Sequence, residues 1–468
     1  MKHASIALGG APAARPRPVA AAPKPYRFPR FEIVTLDNGL RVIVAPVRTL
    51  PVVTALLLVD AGASTEPAGR DGVANLTARG LLEGTLQRDG NALTEQFERL
   101  GASVFSGADW DTANAGVTVL REHVEPAIAL LGELALAPSF PERDIARLRA
   151  ERLADLLQMR TEPRGLADEM FARFVYDPFS RYARPEEGGS DTVATLTRDD
   201  VRRFYTERYR PRGSTFVLVG DVSVDEGVSI ATRTFGGWDG VVSPTAPPAD
   251  APARRTRAAH LVRKADAPQS ELRVGHIGLP RRHPDYFRVM VMNAVLGGLF
   301  SSRINLNLRE AHAYTYGAFS GFAWRRGAGP FVVSTAVEND VTADAAREIL
   351  LEIDRIRAAP ISADELSLAT SYLGGVFPIK YETTDAIALA LAALAAYELP
   401  IDYFDTYRDA VRAVSTADVL DAAQRYLHPD ALQVVVVGDA SQIRAPLAAM
   451  ALGPMLEYGA DGVEISGD

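Results

Sequence analysis

Cysteine is absent from all 468 residues, which removes disulfides, thiolate metal ligands and a cysteine nucleophile together. That composition suits a reducing compartment without requiring one. Long basic runs are missing too, and the formal net charge is −9, so no nucleic-acid footprint is expected. The most apolar run, Ala386 to Tyr397, falls short of the ~18 to 20 residues of a membrane helix, so no membrane span is expected. There is no P-loop, no G-x-G-x-x-G after a strand and no G-x-S-x-G nucleophile elbow. The seven histidines are His3, His123, His260, His276, His283, His312 and His428, and no two stand at helical ligand spacing. Paired acids such as Asp109 with Asp111, and Glu186 with Glu187, read as solvated loop charges.

What is present is a long globular chain. A hydrophobic fraction of 47% with 23% charged residues can fill more than one core, and the length calls for at least two domains. Residues 1–27 read as a flexible Ala/Pro-rich tail; placement in the cytoplasm follows, or in the periplasm if that segment is a secretory signal. Phe31 to Val44 is two β-rich runs about Asn38-Gly39, a hairpin signature. Val52 to Ala61 is an almost continuous apolar strand, covered on both faces. Further strands are expected near Ser103 to Phe105, Ala113 to Leu120 and Thr215 to Val219. Helices are expected at Leu93 to Leu100, Val124 to Leu136, Glu142 to Met159 and Thr197 to Tyr209.

The chain repeats itself. Thr197 through Pro211 to Gly220-Asp221 aligns without a gap to Ser415 through Pro429 to Gly438-Asp439. Each copy predicts a helix, a proline turn, a β-branched strand and a Gly-Asp stop, which implies a duplication of about 200 residues. The fold class is therefore α+β, two similar domains of mixed or antiparallel sheet with helices packed on one face. Their bounds are 28–240 and 261–460, joined by a linker at 241–260 rich in proline between Ser243 and Arg257.

Two stretches carry the chemical question. Gly72 to Thr85 predicts one buried helix with Val73, Leu76, Leu81 and Leu82 on a side and Gly84 at the C-cap. Leu296 to Gly317 begins with Gly297-Gly298, which permit close packing, continues as a partly buried helix and turns into a strand near Tyr316. Both stretches, with Pro138-Ser139-Phe140-Pro141 and the Gly-Asp strand ends, resemble the pitrilysin and mitochondrial-processing-peptidase family. Members of that family bind zinc through H-x-x-E-H on the first of these helices and use two duplicated domains as half of a clamshell.

Asn75, Ala78 and Arg79 occupy the three motif positions here. A neutral amide, a methyl group and a fixed cation cannot assemble two imidazoles and a general base on one helix face. No metal is therefore expected on this chain. The resemblance places a third, acidic ligand on a later helix, where this sequence has Asp155. Arg79 is expected to pair with Asp155 and join two helices without metal. The resemblance also implies that Arg309 and Tyr316, seven residues apart, contact the substrate: a guanidinium can hold a peptide carbonyl and a phenol can donate to a developing oxyanion. An extended peptide is expected along Ser103, Val104, Phe105 and Ser106 by strand addition.

These features imply a non-catalytic subunit that binds substrate and assists the transition state in a heterodimeric zinc endopeptidase. Zinc and an intact H-x-x-E-H would belong to a paralogous partner chain, and an extended peptide would be the substrate. The alternatives are a structural or peptide-binding subunit with no part in proteolysis, and a hydrolase acting alone through other residues.

Overall fold

The computed structural model describes residues 25–242 and 244–465. In the first half, β1 (Glu32–Thr35) and β2 (Arg41–Pro46) form the Asn-Gly hairpin. They join β3 (Val52–Val59), β4 (Ser103–Ala108), β5 (Ala113–Leu120) and β6 (Thr215–Gly220) in an open sheet of order β1-β2-β6-β3-β5-β4. Between β3 and β4 lie α1 (Val73–Gly80) and α2 (Gly90–Arg99). Between β5 and β6 lie α3 (Val124–Leu136), α4 (Glu142–Thr161), α5 (Pro163–Val175), α6 (Ser190–Val193) and α7 (Arg198–Arg208); α8 (Val224–Phe235) follows β6.

The second half starts with β7 (Ala258–Arg263) and β8 (Gln269–Ile277). Next come α9 (Tyr286–Asn293), α10 (Arg303–Asn305), β9 (Ala318–Phe322) and β10 (Pro330–Glu338). Helices α11 (Thr342–Ala358), α12 (Ala363–Lys380), α13 (Thr384–Ala396), α14 (Tyr403–Arg412) and α15 (Thr416–Tyr426) precede β11 (Gln433–Gly438), α16 (Ala440–Ala449) and β12 (Met455–Tyr458). Its sheet order is β12-β7-β11-β8-β10-β9.

Strands β2, β6, β3, β5 and β4 correspond in order and direction to β7, β11, β8, β10 and β9. The repeat read from sequence is carried into atomic detail. Thr197 and Asp200 close a capping box on α7, as Ser415 and Asp418 do on α15. Each cap acid also takes an arginine, Arg70 at 3.0 Å and Arg288 at 3.2 Å. Only the outermost strand differs: β1 is antiparallel to β2, whereas β12 is parallel to β7.

The apolar strands bury both faces. On one side Val42, Val44, Val53, Ala55, Leu57, Phe216 and Leu218 pack with α1, α2, α3, α7 and α8. The intervening Ile43, Ala45, Leu56, Leu58, Val217 and Val219 pack with Ile387, Leu391 and Leu394 of α13, a helix of the second half. The exchange is reciprocal. Leu166, Met170, Phe171 and Phe174 of α5 cover Val262, Val435 and Val437 on the outer face of the second sheet. Helices of its own half thus cover one face of each sheet, and one borrowed helix covers the other.

Several sequence expectations need adjustment. The α5 and α8 helices were not foreseen. The tail placed at 1–27 lies outside the described residues up to Lys24, but Tyr26 packs edge-on to Phe377 and Phe28 stacks on Phe404 at 4.1 Å, so the packed chain starts before residue 28. The linker ends earlier than residue 260, since β7 begins at Ala258, and it is not loose: the amide of Asp177 donates to Ala251 and that of Ala253 to Val175. Ser243 lies outside the described residues. Among the described residues one helical run, Tyr286–Ala311, is long and apolar enough to cross a membrane; 61% of its most apolar window is buried as core of the second half. Asp111 is 2% exposed, its carboxylate accepting from the Arg326 amide of the second half at 3.0 Å, and Glu186 is half-buried rather than solvated.

Candidate functional site

Helix α1 forms as its apolar spacing predicts, with Val73, Leu76 and then Leu81 buried. Its N-terminus is held by the Glu66 carboxylate, which accepts from the amides of Gly72 and Ala74, both at 2.9 Å, and from Arg181. Burial pushes Glu66 up to about 7, against the lowering effect of Arg181 and the Ala74 amide. Asp71 is bound by Arg184 and lies 3.4 Å from Arg181. The helix is thereby fixed to the loop that follows α5. At its far end Gly80 allows close packing: a Cβ there would lie 2.9 Å from Ile145 and 3.1 Å from Phe140. The chain then tightens into a 3₁₀ turn, and Gly84 sits at φ 138°, ψ 165°, outside the left-handed helical region expected of a C-cap glycine.

The three motif positions do not fit zinc. Asn75 is half-buried, and Ala78 is fully buried with its carbonyl accepting from Ser106 Oγ at 2.7 Å. Arg79 presents a paired cation. Its partner is Glu151 at 3.0 Å, not Asp155, which is exposed and makes no ion pair among the described residues. The reason is helical phase. Residue 151 lies one turn before 155 on α4 and is the acid within reach of Arg79, and the same carboxylate is also held by Arg147, which reaches Glu83. Hydrogen bonding from Arg147, foremost, keeps Glu151 below the usual carboxylate range. Glu151 is a residue that counting along the sequence missed; the acidic i, i+4 partner of Arg147 was its signal. Among the described residues no group of three or more His, Asp or Glu is arranged to hold a metal ion.

The expected peptide strand is β4, and it is an edge strand, paired among the described residues only with β5. Val104 and Ser106 turn inward, Ser106 onto the Ala78 carbonyl, while Ser103 and Phe105 are exposed. Phe105 lies across the facing Gly116, in whose place a Cβ would come within 2.5 Å of the ring.

Arg309 and Tyr316 lie on the opposite half, flanking the turn from α10 to β9. After α9 the helix widens into a π-type turn at Ala294–Gly298, and Gly297 meets β9 so closely that a Cβ would be 2.4 Å from Ser320 Oγ. A second π-type turn, Leu306–Ala311, carries Arg309. Its guanidinium lies 4.6 Å above the Phe300 ring, and its nearest acid is Glu310 at 3.5 Å. Tyr316 is 94% exposed. Its backbone is nonetheless fixed, because the Gly317 amide and the Thr335 hydroxyl both bond Thr315 Oγ1. Buried Asn305 ties the two residues' supports together, donating to the Phe300 carbonyl at 2.6 Å and accepting from the Ala318 amide at 3.0 Å. Asn305 was missed in the sequence, where an amide between Ile304 and Leu306 was its signal. His312 is exposed and stacks on Tyr314. No hydrogen bond, ion pair or ring contact among the described residues joins Arg309 or Tyr316 to α1.

Residues 41–177 match the family described as Insulinase (Peptidase family M16), and residues 195–373 match the Peptidase M16 inactive domain. The chain belongs to the M16 peptidase family. Within that family it is 21% identical over 352 residues to an uncharacterized zinc protease of Bacillus subtilis, spanning 75% of this chain and 85% of that one. It is 27% identical over 283 residues to a probable mitochondrial-processing peptidase subunit beta of Schizosaccharomyces pombe, covering 58% of this chain and 59% of the relative. Identity to bovine cytochrome b-c1 complex subunit 1 is 24% over 269 residues, 58% of this chain and 56% of that one. Among solved structures, a peptidase M16 inactive domain from Pseudomonas fluorescens superposes with a TM-score of 0.82 at 25% identity, covering 87% of this chain and 98% of the other. The M16 architecture is thus retained over both halves, while the zinc motif of its first helix is not.

Proposed function

We propose that this M16 chain is the substrate-binding, transition-state-assisting subunit of a two-chain endopeptidase whose partner, a paralogue with an intact H-x-x-E-H, carries the zinc. The observation that carries the reading is the pairing of an α1 whose Asn75, Ala78 and Arg79 do not fit zinc with an exposed Tyr316 and an Arg309 held over Phe300. Arg309 can hold a peptide carbonyl through two parallel N–H donors, and Tyr316 can donate its hydroxyl to the oxyanion that grows on that carbonyl. Both act on charge that develops in the transition state, so neither needs a metal on its own chain. The β4 edge offers unpaired backbone groups for an extended substrate.

The test is reconstitution with the H-x-x-E-H paralogue, zinc counted per complex, and peptide turnover followed for Arg309→Ala and Tyr316→Phe. Each variant is expected to assemble normally and to lose roughly 10²-fold in turnover if one oxyanion donor is removed. Undiminished turnover by both would refute the role. Similarity to the cytochrome b-c1 subunit supports a second reading, a structural or peptide-binding subunit without a part in proteolysis. That reading expects no turnover with any H-x-x-E-H paralogue.

A further inference from the structure

A cavity of about 390 Å³ lies between the halves, bounded by the ends of β2, β3 and β6, by Pro247 of the linker and by the C-terminal end of α13. Neither Arg309 nor Tyr316 lines it. Its walls are apolar at Leu58, Val59, Pro247, Ala395 and Ala396, and its size is that of a small-molecule site. Its charged lining is three arginines, Arg41, Arg282 and Arg326, against two acids, Asp60 and Glu398.

Those charges are unevenly matched. Arg326 binds Asp60 and donates its Nε to the last-turn carbonyl of Ala396 at 3.1 Å, and Asp60 is shared with Arg208. Arg282 pairs with Glu398 at the exposed rim. Arg41 is different. Its Nε donates to the neutral Thr215 hydroxyl at 3.2 Å, and its two terminal nitrogens have no acceptor among the described residues. It is half-buried, and burial lowers its pKa, with Glu398 acting more weakly in the opposite sense. A forked donor facing an apolar-walled cavity with one cation in excess matches a monoanion with two coplanar oxygens.

We propose that this inter-half cavity binds a small organic carboxylate with a short apolar tail, held through the unoccupied fork of Arg41. The carboxylate would come from a free short acid or from the C-terminus of a short peptide. Bound there, it would touch the strand ends of the first half and α13 of the second, and so add to the cohesion of the two.

The test is calorimetric titration of the full chain with N-acetylvaline, with N-acetylalanylvaline and with the amide of each. Either acid should bind while its amide does not; tighter binding of the longer acid identifies a peptide end, and tighter binding of the shorter a free acid. Arg41→Gln should weaken binding by about 10-fold or more, the size of a lost charge-assisted hydrogen bond. Because Arg41→Gln alters a strand residue, Ala396→Leu serves as a second variant: it fills the cavity, leaves the arginine in place, and should weaken binding as well. Equal binding of acid and amide, absence of binding by either acid, or wild-type affinity in both variants would overturn the proposal.

Discussion

The two halves share a sheet but not a surface. Between β3 and β4, the interval equivalent to β8–β9, the first half places α1, where charges are consumed by structural pairs: Arg79 on the helix by Glu151, and the buried Glu66 before it by Arg181 and the helix's own amides. The same interval of the second half holds α9 and α10 with their two widened turns, and it sets Tyr316 in solvent and Arg309 over Phe300. A duplicated core therefore fixes where elements lie, while the side chains at one strand-to-strand interval decide which groups that place presents to solvent. On the proposed function, the half bearing α1 is the scaffold and the other half bears the groups that act on substrate.

The comparison would break most visibly if the halves did not depend on one another. Leu391→Ala on α13 and Leu166→Ala on α5, both fully buried against the opposite sheet, are each expected to cost about 2–5 kcal/mol. Each should lower the urea midpoint of both halves together; a shift confined to one half, with the other half's midpoint unchanged, would show that the halves do not depend on one another. Next in size is the functional contrast. Arg309→Ala or Tyr316→Phe should remove about 2.7 kcal/mol of transition-state stabilisation in the reconstituted complex, whereas Asn75→Ala on α1 should leave turnover unchanged.

Titration sharpens the contrast further, since one acid of each half is shifted oppositely. Burial, seconded by Asp109, pushes Glu186 up to about 7. Its contribution is full below the unfolded value near 4.5 and is lost as pH rises through 7, so Glu186→Gln should be about 1–2 kcal/mol more stable than wild type at pH 8 and equal to it near pH 4. In the second half, hydrogen bonds from Arg303 foremost hold Glu365 down at about 2. That contribution is present above the unfolded value and is lost as pH falls through 2. Glu365→Gln should therefore cost about 1 kcal/mol at pH 7, after discount for its exposure, and nothing near pH 2. Denaturation midpoints across pH read both. The smallest effect is expected at the exposed Arg79–Glu151 pair, where Glu151→Gln should change stability by less than about 1 kcal/mol.

Much of this was legible in the chain itself. The period-two and continuous apolar runs located most of the core strands, and the gapless repeat from Thr197 and from Ser415 reappears as matching capping boxes and strand ends, because caps and β-branched runs are local signals. Asn75, Ala78 and Arg79 excluded a zinc triad by residue type alone. The sequence could not assign the partner of Arg79, since Glu151 and Asp155 differ by one helical turn and only the packing of α1 on α4 selects between them. Nor could it show that α5 and α13 trade sheets, that Asn305 braces the supports of Arg309 and Tyr316, or that Arg41 faces a cavity between the halves. Local composition determined which elements form and which residue types stand at the zinc-motif positions. Which faces meet is decided by contacts between residues hundreds of positions apart, so only the tertiary structure settled it.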